Sequence, residues 1–168
     1  MTIGAALQEA VNQRLAAKGP SVRELLEEVG LSAEDATRRP GSFSGGQRQR
    51  IVLARALALS PEFLVLDESV AALDLRIQAE ILDLLKVLCE RRGLTFLFIS
   101  HDLNVVGAVC DRIAVMYQGN VVRYGPKSQV LSPPFDDYTD LLRGSVPEMR
   151  LGWLEEVIAN RKMESAGN

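Results

Sequence analysis

The stretch Phe43-Ser44-Gly45-Gly46-Gln47-Arg48-Gln49-Arg50-Ile51 constrains this chain more than any other, because it sets a hydroxyl and two glycines at the start of a long apolar-periodic run. Ser44 is a good N-cap, and the glycines let a backbone come close to a ligand with no Cβ in the way. The spacing predicts a helix over about residues 46–59, whose first turn aims unpaired N–H groups and about half a positive charge at whatever lies before it. Taken alone, the same residues also suit an ordinary capped helix. The downstream residues narrow the choice: an apolar run Phe63-Leu64-Val65-Leu66 ending in Asp67-Glu68, then Ala72-Leu73-Asp74, then a second apolar run ending in Ser100-His101-Asp102. Elements in this order and spacing are not expected by chance.

Together these residues resemble the second half of an ABC-type ATPase, with a signature Ser44-Gly45-Gly46-Gln47, a Walker B strand over 63–67 with Glu68 behind it, a D-loop Ala71-Ala72-Leu73-Asp74 and a switch His101. The resemblance covers about residues 1–145. It implies a P-loop NTPase-like α/β fold, here a partial parallel-sheet core with an N-terminal helical subdomain and a C-terminal helical tail. Phe43 stands where the family usually has Leu, and Ser69 where it often has Pro. Neither change removes a ligand group. A larger departure is the P-loop: the only lysines are Lys18, Lys86, Lys127 and Lys162, and none follows a glycine as the family's Gly-Lys-Ser or Gly-Lys-Thr requires.

Composition sets the class. The chain has 168 residues, 47% hydrophobic and 24% charged, within the ordinary globular range. Its 19 basic and 22 acidic residues give a net charge of −3 with no lysine-rich block, so nucleic acid is not an expected partner. Cys89 and Cys110 lack Cys-x-x-Cys spacing and read as reduced thiols of a cytosolic protein, with no metal site following from them. The apolar runs 51–59 and 94–99 are too short to span a membrane, and residues 1–10 lack the basic start of a signal peptide.

Taken in order, residues 3–17 place Ile3, Leu7, Ala10, Val11 and Leu15 near helical spacing until Gly19-Pro20. Ser21 is placed to cap a second helix with Glu24 three residues on, its apolar face Val22, Leu25, Leu26 and Val29, and Gly30 closes it. Residues 63–66 read as a strand buried on both faces of a parallel sheet. A helix with Ile77, Ile81, Leu84, Leu85 and Leu88 on one face ends at Arg91-Arg92-Gly93, its polar face solvated. Residues 95–99 form the next strand, and Asp102 is placed to cap a helix over 103–109. Residues 112–117 and 121–124 flank Gln118-Gly119-Asn120 as a β-hairpin. A short helix near 128–131, another from Tyr138, and an amphipathic helix through Leu151, Leu154, Val157 and Ile158 with a fraying end complete the chain.

Residues 110–117, Tyr124-Gly125-Pro126 and Tyr138-Thr139 are similar to the tail of the dipeptide, oligopeptide and nickel importers. Members usually carry His-Pro before the Tyr-Thr, where this chain has Asp136-Asp137, and some carry a later Cys cluster that is absent here. The wording of residues 1–4 resembles the sequence just beyond the family's Q-loop, so Met1 reads as an internal position of a longer protein; a complete small protein opening on two helices is the other reading. The expected division is part of a helical subdomain over 1–42, the signature helix with the C-terminal half of the ATPase core over 43–125, and a helical tail over 126–168.

What the resemblance implies about chemistry is specific. Asp67 holds Mg²⁺ through water, and Glu68 is the general base for the water that attacks the γ-phosphate, a contribution of about 10²–10⁴-fold. His101 contacts the γ-phosphate and positions that water. Ser44, Gly45, Gly46, Gln47 and Asp74 meet ATP held by a second ABC ATPase subunit, since P-loop and signature work in trans. The expected function is therefore that of an ATP-hydrolysing subunit, or a portion of one, of a peptide importer, bound to transmembrane permease subunits on the cytoplasmic face of the plasma membrane and inactive alone for want of a P-loop. Two rivals stand beside it: a noncatalytic partner that lends its signature to an intact ATPase, and an ABC ATPase of DNA repair or translation. Coiled-coil insertions or a basic face would favour the last, and neither is present.

Overall fold

Short polar caps begin most of the helices, and the computed structural model, which describes residues 1–14, 18–70 and 73–145, places each of them. Thr2 accepts from the Ala5 amide at 3.3 Å to start α1, Ile3–Gln13. Ser21 and Glu24 close a reciprocal capping box at the start of α2, Val22–Glu28, with the Ser21 amide donating to Glu24 at 2.7 Å. Two single turns, Ala33–Thr37 and Pro40–Ser42, lead into α3, Gly45–Leu57. Then come β1, Phe63–Asp67; α4, Leu75–Arg92; β2, Thr95–Ile99; and α5, Leu103–Val109. The hairpin β3, Arg112–Tyr117, and β4, Asn120–Pro126, is followed by α6, Lys127–Val130, and α7, Asp137–Ser145. Leu15, the D-loop residues Ala71 and Ala72, and the expected tail helix through Leu151, Leu154, Val157 and Ile158 lie outside the described residues.

The chain divides into two compact units, one of Met1–Val65 with Ser69–Leu97 and one of Leu66–Glu68 with Phe98–Asn168. In the first, the apolar stripes of four helices make the core: Ile3 and Leu7, Leu25 and Leu26, Ala54 and Leu57, and Ile81, Leu82, Leu85 and Leu88 are all buried. In the second, Val105, Val109, Ile113, Val115 and Val130 are buried. β1 and β2 pair, with the Thr95 amide donating to the Glu62 carbonyl at one end and the Glu68 amide to the Ile99 carbonyl at the other, so both strands run the same way, as a helix crossover requires. Strand β1 departs from the expectation of burial on both faces. Leu66 is buried, but Phe63 and Val65 are more than half exposed, and Leu97 of β2 is 48% exposed. A continuous apolar run announces a strand; it does not say how many layers cover it, and no layer of described residues covers this face.

Local chemistry accounts for the rest. Gln118 and Gly119 both adopt positive φ, the two-residue turn that suits the twist of a hairpin. Arg123 of β4 donates to the carbonyls of Gln129, Ser132 and Pro134, pinning the segment before α7. Asp136, in the place of the family's His, caps α7: its carboxylate accepts from the Thr139 hydroxyl at 2.6 Å and amide at 2.9 Å, which holds the carboxyl below its usual range. Burial first, and Asp111 second, push the Cys110 thiol up to about 11, so it stays protonated.

Gly46 is where α3 meets α4. A Cβ built there lies 2.4 Å from Cγ2 of Ile77, a side chain stiff at χ1, whereas one on Gly45 meets Cδ2 of Leu73 at an ordinary 3.5 Å. Gly46→Ala is therefore expected to destabilise the fold by about 1–3 kcal/mol through overpacking, while Gly45→Ala shifts stability by less than about 1 kcal/mol. Urea melts of the two variants check this; equal midpoints would show that Gly46 is not fixed by packing.

Candidate functional site

Ser44 sits in extended backbone just ahead of α3, its Oγ accepting from the Gln47 amide at 3.3 Å while its own amide donates to Gln47 Oε1 at 3.0 Å. This box uses a lone pair of the hydroxyl and leaves its proton free to donate. The amides of Gly45 and Gly46, first in the helix, have no intrahelical acceptor. Phe43, buried at 4% exposure, carries the Arg38 guanidinium 4.2 Å above its ring, and Arg38 also donates to Ser42 O and to Asp35. The Phe that replaces Leu thus gives Arg38 a surface to stack on, ordering the turn before Ser44. Asp74 caps α4, accepting from the Ile77 amide at 3.0 Å.

In the other unit, Asp67 and Glu68 leave the end of β1 as exposed carboxylates. Glu68 keeps its amide on the Ile99 carbonyl but has φ +43, a left-handed conformation rare for a side-chain-bearing residue. Its Oε1 lies 3.2 Å from Nδ1 of His101, just beyond β2, with both side chains exposed. Such a pair is placed to orient a water and to receive its proton. Asp102, next in line, caps α5 through the Asn104 amide at 2.8 Å. Ser69, where the family often has Pro, buries its hydroxyl with no hydrogen-bond partner among the described residues.

Ser44, Gly45, Gly46, Gln47 and Asp74 thus belong to one unit and Asp67, Glu68 and His101 to the other. Sequence reasoning placed the caps Ser21, Ser44 and Asp102 but not those of Thr2, Asp74 and Asp136, and it missed the φ of Glu68 and the tight contact of Gly46 with Ile77. No local signal marks either. A left-handed residue with a Cβ costs about 1–2 kcal/mol. Glu68→Gly is expected to recover about 1 kcal/mol of stability while removing the carboxylate, read as a raised melting temperature; an unchanged or lowered melt would mean that Glu68 carries no strain.

The arrangement is that of an ATP-binding cassette with part of its parallel sheet. Residues 4–71 match the family model described as ABC transporter. The chain is 49% identical, over 95% of its length and 49% of the relative's, to a protein of Brucella abortus (strain 2308) named for peptide import and ATP binding. It is 51% identical, over 75% of its length and 41% of the relative's, to the oligopeptide transport ATP-binding protein OppF of Bacillus subtilis (strain 168). Among solved structures it is similar to an inward-facing metal-chelate type ABC transporter, with TM-score 0.68 and 29% identity over 79% of this chain and 55% of that one. It is also similar to a dimeric ATP-binding cassette in a post-hydrolysis state with ADP and Pi, with TM-score 0.61 and 30% identity over 76% of this chain and 57% of that one. The chain spans about half the length of the curated relatives it matches.

Proposed function

We propose that this chain is the signature-bearing C-terminal portion of an ATP-hydrolysing subunit of a peptide importer, divided into a helical subdomain part over 1–42, a half-core over 43–125 and a helical tail over 126–168. The observation that carries the reading is the approach of Glu68 to His101 at the ends of paired strands. Glu68 acts as general base toward the attacking water, and His101 orients it and donates to the γ-phosphate. Ser44 donates its free hydroxyl proton, and Gly45 and Gly46 their amides, to the γ-phosphate of ATP held by a second subunit, with Asp74 beside them. Asp67, with Glu68 next in the chain, is an exposed carboxylate at a strand end, a donor that fits a largely hydrated Mg²⁺ better than a protein cage. Bound there, Mg²⁺ would neutralise charge developing on the phosphates. Peptide cargo is supported by the names of the relatives, and with it permease subunits that hold the protein against the cytoplasmic face of the plasma membrane. No described helix is long and apolar enough to cross that membrane.

The 168-residue chain lacks the Gly-Lys-Ser or Gly-Lys-Thr that cradles phosphates, so titration calorimetry with ATP·Mg²⁺ is expected to give no micromolar binding. Joined behind a P-loop half from a peptide-importer relative, the same chain is expected to bind ATP and to hydrolyse it at a rate rising more steeply than linearly with protein concentration. Micromolar binding by the chain alone, or a strictly linear rate from the joined protein, overturns the shared-site reading.

A further inference from the structure

The signature turn and Asp74 belong to neighbouring helices that lie side by side and parallel, since Gly45 meets Leu73, Gly46 meets Ile77 and Arg50 meets Glu80 in rising order along both. Parallel helices set their positive ends together, an arrangement that repels and has to be held. Arg50 provides the hold. Its guanidinium donates to the Val29 carbonyl of α2's C-cap at 2.9 Å and to Glu80 Oε2 of α4 at 3.2 Å. The two side chains are only 16% and 21% exposed, so their attraction is weakly screened. Gly30 is part of the same arrangement: a Cβ there would lie 3.0 Å from the guanidinium, and its φ of +74 suits glycine.

We propose that Arg50 is a positioning residue that makes the signature turn and the Asp74 cap one rigid piece, referenced to the end of α2, so that both reach the nucleotide of the second subunit together. This rests on the ATPase reading above. Arg50 touches no reacting atom in this role. Its loss should lower turnover, which needs the signature in register, and leave KM for ATP, which the P-loop side sets.

Two measurements test it. In the 168-residue chain, amide exchange at Gln47 and Ile77 is expected to rise together by about tenfold or more in Arg50→Met, with the hairpin β3–β4 unchanged; Glu80→Gln, which keeps an acceptor for Arg50, should give a smaller rise at the same two amides. In the joined, ATP-hydrolysing protein, Arg50→Met is expected to cut kcat about tenfold or more with KM within twofold, and Arg50→Lys, which reaches one partner at a time, to fall between. Exchange at Gln47 and Ile77 that does not change overturns the rigid piece. Coupled exchange with unchanged kcat overturns the positioning role. A rise in KM matching the fall in kcat assigns Arg50 to general stability and overturns it as well. Absence of ATP turnover in the unsubstituted joined protein is the failure of the ATPase reading itself, and overturns the proposal through that route while the exchange result stands apart.

Discussion

Glu68→Gln in the joined protein is expected to lower ATP turnover by roughly 10²-fold or more while nucleotide still binds. The substitution keeps side-chain size and reach, so an oxygen or nitrogen still lies within hydrogen-bond distance of His101 Nδ1, 3.2 Å from Oε1 here. It removes the proton acceptor alone. Gln and Glu face the same constraint at a φ of +43, so the melt should hardly move, and a loss of rate is then a loss of chemistry. A sandwich that closes and cannot discharge should accumulate, seen as an ATP-dependent dimer by mass. Turnover equal to that of the unsubstituted protein would remove Glu68 from the role of base.

Ser44→Arg is expected to abolish both ATP-dependent dimer and hydrolysis while each subunit still binds nucleotide. Two effects are combined in that change, and a second variant separates them. Loss of the cap to the Gln47 amide costs about 1 kcal/mol, and Ser44→Ala incurs the same cost without bulk. A long cationic side chain on the exposed start of α3 adds an obstruction to closure. If Ser44→Ala keeps the dimer and Ser44→Arg loses it, the wall has been blocked. If Ser44→Arg dimerises and turns over, the trans role of the signature is wrong.

How much the chain discloses before folding depends on the range of each interaction. The capping boxes of Ser21–Glu24 and Ser44–Gln47 and the caps of Asp74 and Asp102 are contacts across two or three residues; residue type and spacing mark Ser21 with Glu24, Ser44 and Asp102, while Gln47 as partner of Ser44 and Asp74 as a cap come only with the structure. Asp136 is of the same kind, an acid three places before Thr139, although its mismatch with the family's His hides its work as a cap. The arginine clamps were out of reach. Arg50 reaches 30 residues to Glu80, and Arg92 pairs through two nitrogens with Glu28 from 64 residues away, on a helix face that periodicity assigns to solvent. The approach of Glu68 to His101 depends on which strands become neighbours: the resemblance gives the two residues roles toward one water, periodicity gives neither, and the contact comes only with the structure.

The left-handed backbone at Glu68 bears on how such a gene ages. Every glutamate codon lies one base change from a glycine codon, and glycine is the residue that this backbone position prefers. Were folding the only demand on the chain, drift would run downhill at residue 68, toward the amino acid that relaxes the turn and erases the acid. If Glu68 is the proposed base, a glutamate that persists in populations of this gene, against that slope, would record selection for that role more directly than any well-packed residue, because its side chain is exposed and meets only the exposed His101.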